Sequence, residues 1–298
     1  MNYRQRAKAR HKYIQRKNAE MQRQMEKTQR ALHTMLQREV MDNLDIQDGM
    51  IRKTPRNYQF KARFDQIRTK FIREDYGDFF KWLAVNLNSQ VDMVTDYYKS
   101  MFTDWKKGTE NNVKTLASRR LGINQDGSLR DGWLHDLYQD DTYFTTLRQR
   151  ISRAISTGQS YGEFREEMRT LVSGLSRSTT QGRRLGLVET HLRTFVYDVF
   201  AQHDRQLVND YAEDLDLNYA IYSGGEMDTS REFCIERNGN LYSREEIESW
   251  ANQQWPGKST PYDPFIDCGG YNCNHTLDWI SDELAEQLIA RQGLNEYN

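Results

Sequence analysis

All three cysteines of this 298-residue chain (Cys234, Cys268, Cys273) and three of its four prolines (Pro256, Pro261, Pro264) fall between Tyr219 and Ser281. Proline removes a backbone donor and breaks helices, so that stretch must be short elements and shaped loops. The opposite texture precedes it: no Gly or Pro occurs before Gly49. Only 37% of residues are hydrophobic and mean hydropathy is -0.92, against roughly 45–50% apolar residues in ordinary domains. Aromatics nevertheless reach 12%, too many for a disordered chain. Long amphipathic helices with much exposed surface satisfy both facts. The expected fold is therefore mainly α, with an elongated helical N-terminal and central part and a small α+β C-terminal module. Four segments are expected: a basic helical arm (1–48), a helical region (49–132), a second helical part (133–214) and the module (215–298).

In chain order, residues 1–44 read as one helix, with Ile14, Met21, Met25, Leu32 and Met35 forming a weak coiled-coil seam. Gly49 to Pro55 is a break. Phe60, Phe64, Ile67 and Phe71 then give one aromatic helix face, and residues 79–105 a second helix with Leu83, Leu87, Val91, Val94, Tyr98 and Phe102 on one side. Residues 122–132 are a loop with an Asp126-Gly127 turn. Helix returns over 133–157, Gly158 caps it, and Ser160 with Glu163 is expected to form a capping box. A long helix is expected from Thr179 or Thr180 to about Asp214, burying Leu185, Val188, Leu192, Phe195, Val199 and Leu207. His191 inside it reads as structural. Residues 220–222 look like a short strand, Asn238-Gly239 like a hairpin turn, and Ser243 with Glu246 like a capping box. A closing strand over 276–281 and a last helix over 282–291 follow.

Net charge is -1, but it is unevenly spread. Arg4, Arg6, Lys8, Arg10, Lys12, Arg16 and Lys17 occupy the first 17 residues with no acid among them. From Asp210 onward, 18 Asp and Glu face five Lys and Arg. The basic arm is either a solvated helix face or a surface for nucleic acid or an acidic protein partner. No run approaches the roughly 18 apolar residues of a membrane span, so none is expected. The basic start lacks the apolar core of a secretory signal, so none is expected either.

Cys234, Cys268, Cys273 and His275 are the residue types and number of a tetrahedral structural zinc site. Their spacing is unorthodox, and two other readings stay open: small buried cysteines with a hydrogen-bonded His275, or a disulfide. An odd number of cysteines gives no disulfide framework, so a reducing compartment is the simpler expectation. Under any reading, Asn238-Gly239 and Gly269-Gly270 should let Cys234 approach the loop 268–275. Asp228 and Arg231 suggest an ion pair bracing a turn. Asp278, Glu189 and His275 can be drawn as a hydrolytic set, but no spacing selects that over capping and surface roles. No phosphate loop, nucleophile elbow or His-Glu-x-x-His motif is present.

Over residues 133–281 the order of these pieces resembles the phage Mu F-like head-morphogenesis, or minor head, protein family. The pieces are the Gly158-x-Ser160-x-x-Glu163-Phe164 corner, Val188-Glu189-Thr190, then Asp228-Thr229-Ser230-Arg231-x-x-Cys234, the Asn238-Gly239 turn, and Gly269-Gly270-Tyr271-Asn272-Cys273-x-His275. The chain departs from the family where many members have Cys-x-x-Cys, and in placing Asn274 where a basic residue is usual. The resemblance implies a low-copy virion protein inside the head near the portal, present in the host cytoplasm during assembly. Its implied partners are the portal protein, the major capsid or other inner-head proteins, and packaged DNA. Its implied roles are head assembly, DNA packaging or ejection, with no catalytic residues. The alternatives are a zinc-stabilised nucleic-acid-binding protein and a hydrolase or toxin-like enzyme.

Overall fold

A computed structural model of the chain describes residues 3–103, 105, 107–124, 128–140, 142–179, 182–196, 199–225, 228, 230–271 and 273–295. It is mainly helical, as the sequence led us to expect, with one small three-stranded sheet near the C-terminus. Helix α1 (Tyr3–Glu39) is followed by a 3-10 turn (Met41–Asn43) and a two-stranded hairpin of β1 (Ile46–Gln47) and β2 (Met50–Ile51). Asp48 and Gly49 make its turn at positive φ, 51° and 76°. Next come α2 (Pro55–Tyr58), whose N-cap Thr54 accepts from the Asn57 amide, and α3 (Phe60–Phe71). A π-helical turn (Ile72–Tyr76) joins α3 to α4 (Gly77–Lys99). Then follow α5 (Lys107–Leu121), α6 (Trp133–Gln139), α7 (Thr142–Thr157) and α8 (Tyr161–Ser173). Strands β3 (Leu175–Thr179) and β4 (Gly182–Arg184) pair before α9 (Leu187–Val196) and α10 (Val199–Asp214). The C-terminal part comprises β5 (Tyr219–Gly224), α11 (Glu232–Arg237), β6 (Leu241–Ser243), α12 (Arg244–Ser249), α13 (Pro264–Asp267), β7 (His275–Ile280) and α14 (Asp282–Asn295).

The chain divides into two compact units that do not follow the four successive segments expected from the sequence. One comprises 19–85 and 121–197; the other comprises 1–18, 86–120 and 198–298. The first is helical with an aromatic interior. The predicted face of α3 is buried at Phe60, Phe64, Ile67 and Phe71. Phe144 of α7 meets the edges of Phe64 and Phe71 at 5.8 and 5.7 Å between ring centres. Met21, Met25, Leu32 and Met35 of α1 are also buried here, so most of that seam closes an intramolecular core. Glu189 on α9 is 1% exposed. It accepts from Gln22 at 2.7 Å, while its amide donates to Gln29 Oε1 at 3.0 Å.

Several local expectations fail in this unit, each for a physical reason. The long helix expected from residue 179 or 180 begins later, at Leu187, because the chain before it pairs as strands β3 and β4. An i, i+3/i+4 pattern gives a face but not continuity, and Gly182 and Gly186 lower helix propensity ahead of Leu187. A Cβ on Gly186 would fall 2.1 Å from Gln29 Oε1 and 2.3 Å from the Val172 carbonyl, so packing demands glycine there. Ser160 does precede α8 but makes no side-chain capping bond. The Phe195 side chain and the Asp126-Gly127 turn lie outside the described residues.

The second unit is built around the antiparallel order β6-β5-β7. Along β5 and β7 the pairing runs from Tyr219 with Ile280 to Gly224 with His275. All six residues of β7 are buried, since α10 packs against this strand. Most of α10 is buried, on more than one face, as expected of a helix surrounded by protein. Tyr97 and Tyr98 of α4 add hydroxyl bonds to the carbonyls of Trp279 and Val208, both at 3.0 Å. The predicted helix over 79–105 ends earlier, at Lys99, and α5 follows with Val113 and Ala117 buried. Asn238-Gly239 is not a hairpin turn; it ends α11 and leads into β6, with the Gly239 amide bonded to the Tyr222 carbonyl at 2.7 Å. The Ser243–Glu246 capping box forms with both of its bonds.

Candidate metal centre

Four local structures bring the sulfur and imidazole donors together. Cys234 lies in the first turn of α11. Cys268 follows α13, whose N-terminus is set by Asp263 accepting from the Phe265 amide. Gly269 and Gly270 then turn the chain toward Cys273, and His275 opens β7. Cys234, Cys273 and His275 converge as a buried group whose donor atoms all lie within 4.8 Å of one another, and these three could hold a metal ion. Cys268 is buried too but is not a member of that group. The expected approach of Cys234 to the later loop is therefore seen, with three of the four nominated ligands.

The distances suit coordination. Cys234 Sγ is 3.8 Å from Cys273 Sγ, and Cys273 Sγ is 3.7 Å from His275 Nδ1. A tetrahedral zinc with metal–sulfur bonds of about 2.3 Å and metal–nitrogen bonds of about 2.0 Å has donor–donor edges of about 3.8 and 3.5 Å. Cys273 Sγ also accepts backbone amides from Gly269 at 3.3 Å and from His275 at 3.4 Å. The hydrogen bond between Cys234 and Cys273 is the largest influence on both thiols: it lowers Cys273 and raises Cys234. Burial opposes the shift at Cys273, while the His275 contact adds to it, and the net direction is downward. Burial pushes the Cys268 thiol up to about 12, which leaves it a neutral buried group.

Glycines make room for this arrangement. A Cβ on Gly269 would fall 2.2 Å from Cys234 Sγ and 3.0 Å from Cys273 Sγ. One on Gly224 would fall 2.6 Å from the His275 ring. Arg205 of α10 holds the loop from behind: Nε donates to the His275 carbonyl at 2.9 Å, Nη1 to Ile266 at 3.2 Å, and Nη2 to Cys273. Arg231 donates to the carbonyls of Pro256 and Tyr271. Among the described residues it makes no ion pair with Asp228, so the expected Asp228–Arg231 brace is replaced by a clamp on two loops.

The basic arm resolves into different roles. Arg10 is wholly buried and paired with two carboxylates, Asp204 at 3.0 Å and Asp278. It cannot meet a nucleic acid. Its guanidinium lies 4.9 Å from the Tyr97 ring centre. Burial acts to raise Asp278, but Arg10, then His11 and Ser223, outweigh it and hold this carboxyl well below the usual range. At Asp204 burial prevails over Arg10 and the carboxyl is raised. Arg6 pairs with Asp96 at 3.4 Å, and Lys17 lies over the Tyr13 ring. Arg4, Lys8, Lys12 and Arg16 are exposed. Their spacing of four places them on one side of α1.

The sequence reading missed Arg10's burial, Asp204, Arg205 and the proximity of Tyr222. The available signal was weak: Asp204 and Arg205 sit inside a stripe that also contains Leu207 and Val208, and a charged residue beside such a stripe reads as solvated unless its partner is known.

No family model, curated protein or solved structure matches this chain in the three comparisons made.

Proposed function

We propose that this chain is a phage minor head protein of the Mu F-like type, acting by binding rather than catalysis, with a C-terminal module tied by structural zinc. One observation supports it most. Residues that carry the resemblance and are scattered over 231–275 meet in a single knot: Arg231 clamps its loops, Cys234, Cys273 and His275 supply donors, and Gly269 fits between the two sulfurs. Two thiolates and an imidazole favour zinc over oxygen-seeking cations. In this reading the acidic C-terminal part docks on the portal or another inner-head protein. The exposed stripe of Arg4, Lys8, Lys12 and Arg16 faces packaged DNA, where clustered cations displace counterions.

The test is quantitative mass spectrometry of purified particles together with capture of the portal protein during assembly. A few copies per particle and co-purification with portal are expected. Absence from particles, or particles assembled and infectious without the chain, would overturn the proposal.

A further inference from the structure

Resting on the zinc reading above, we infer that the fourth corner of the metal tetrahedron is the Tyr222 hydroxyl and not Cys268. Tyr222 is fully buried on β5. Its Oη lies 3.3 Å from Cys234 Sγ and 3.7 Å from Cys273 Sγ. Those values bracket the edge of about 3.6 Å expected between an oxygen and a sulfur bound to one zinc, with metal–oxygen bonds of about 2.0–2.2 Å. The Tyr222 ring stacks on His275 at 5.0 Å and 13°, so the phenol and the imidazole are held on the same side of the two sulfurs.

Gly269 provides an independent indication. The Cβ it lacks would lie 2.2 Å from Cys234 Sγ, 3.0 Å from Cys273 Sγ and 3.3 Å from Tyr222 Oη. Thus the phenol oxygen faces the same small space as the sulfurs. Cys268 is excluded from the set of mutually close donors, although it is next to Gly269 in sequence. Its backbone is fixed at a φ of 52°, and its carbonyl accepts from Tyr262 at 2.7 Å. Charge agrees with this choice. Two thiolates neutralise a divalent ion, so a phenol oxygen completes the shell without adding the third thiolate's charge to a buried site.

Cobalt(II) substituted for zinc in the full chain tests this. The intensity of its thiolate-to-metal absorption counts sulfurs, and its visible d–d bands report the remaining donors. We expect one cobalt per chain with two-thiolate intensity, unchanged in Cys268→Ser. Cys234→Ser and Cys273→Ser should each weaken binding at least tenfold. Tyr222→Phe should keep the two-thiolate intensity but shift the d–d bands and weaken binding several-fold. X-ray absorption at the zinc edge of the unmodified protein supplies a variant-free count, expected as two sulfurs and two nitrogen or oxygen donors. Three sulfurs, or a Tyr222→Phe spectrum identical to that of the parent, overturns the Tyr222 assignment while leaving a metal site in place. Failure to bind either metal overturns the zinc reading itself.

Discussion

Arg10→Met removes the cation from the buried cluster while keeping a long apolar side chain in its place. Arg10 and Asp204 are fully enclosed, and the Asp278 side chain is 7% exposed. At an effective dielectric constant of about 20, charges 3 Å apart attract by about 5 kcal/mol, but desolvation offsets much of that in the intact cluster. The substitution leaves two carboxylates buried without their cation. The expected loss is therefore about 3–5 kcal/mol at pH 7, out of a usual total of roughly 5–15 kcal/mol. The defect should depend on pH in a definite direction. In the parent, Asp278 is held low, so its contribution is present above the unfolded carboxylate range and is lost as pH falls below it. Without Arg10, Asp278 is no longer held low and Asp204, already raised by burial, rises further, so the folded state takes up protons and the gap between variant and parent narrows from pH 7 toward pH 5. Adding Asp278→Asn should restore part of the stability by removing one unpaired charge. Urea unfolding of the full chain at both pH values measures all of this. A loss under about 1 kcal/mol at pH 7, or a pH-independent loss with no rescue by Asp278→Asn, would refute the buried cluster.

Four further outcomes are expected. Gly269→Ala forces a Cβ against Cys234 Sγ; unfolding experiments should show a loss of about 1–3 kcal/mol and, on the proposed zinc reading, metal analysis a reduced zinc content. His203 is pushed down to about 3, first by burial and then by Arg120, against the opposing bond to the Leu87 carbonyl. Its contribution is thus complete above the unfolded value of about 6.5 and is lost as pH falls from there toward 3; His203→Gln should flatten that part of the stability profile. Leu192 is wholly buried on α9, and Leu192→Ala should cost about 2–5 kcal/mol in urea unfolding. Lys8→Ala with Lys12→Ala should reduce the salt slope of DNA binding by about two, whereas an unchanged slope removes the basic stripe from the proposed DNA contact.

Helix faces were readable because burial imposes its period directly on local sequence. The aromatic face of α3, the stripe Leu83, Leu87, Val91, Val94 and Tyr98, and the Ser243–Glu246 cap all needed only neighbours within a few residues. What stayed hidden depends on distant partners. Arg10 has the local surroundings of a solvated cation, and only Asp204 and Asp278, far along the chain, make it a core residue. Asn238-Gly239 has the composition of a hairpin turn, yet the preceding residues complete a helical turn closed by the Asn238 amide on the Cys234 carbonyl at 3.0 Å. The donor cluster was legible in residue type but not in membership. Cys268 and Cys273 are equivalent as letters, and the backbone path through Gly269 and Gly270 brings only the second into the close group.

Two adjacent residues of α10 tie the charge cluster to the buried group of Cys234, Cys273 and His275. Asp204 receives Arg10 from α1. Arg205, the next residue, holds the carbonyls of Cys273 and His275. β7 repeats this link, since it carries the donor His275 at its start and Asp278, the second partner of Arg10, three residues later. A shift of β7 that opened the metal group would therefore also draw Asp278 away from Arg10, and a loosened α1 would leave Asp204 and Asp278 as unpaired buried charges against the same strand. Packing alone does not enforce such coupling, because apolar contacts can slide at small cost, whereas ion pairs and charge-assisted hydrogen bonds fail over a short displacement. The first turns of α1, despite their charge, are thus part of what fixes the C-terminal module's shape, and any partner bound by their exposed stripe would act on a helix already tied to that module.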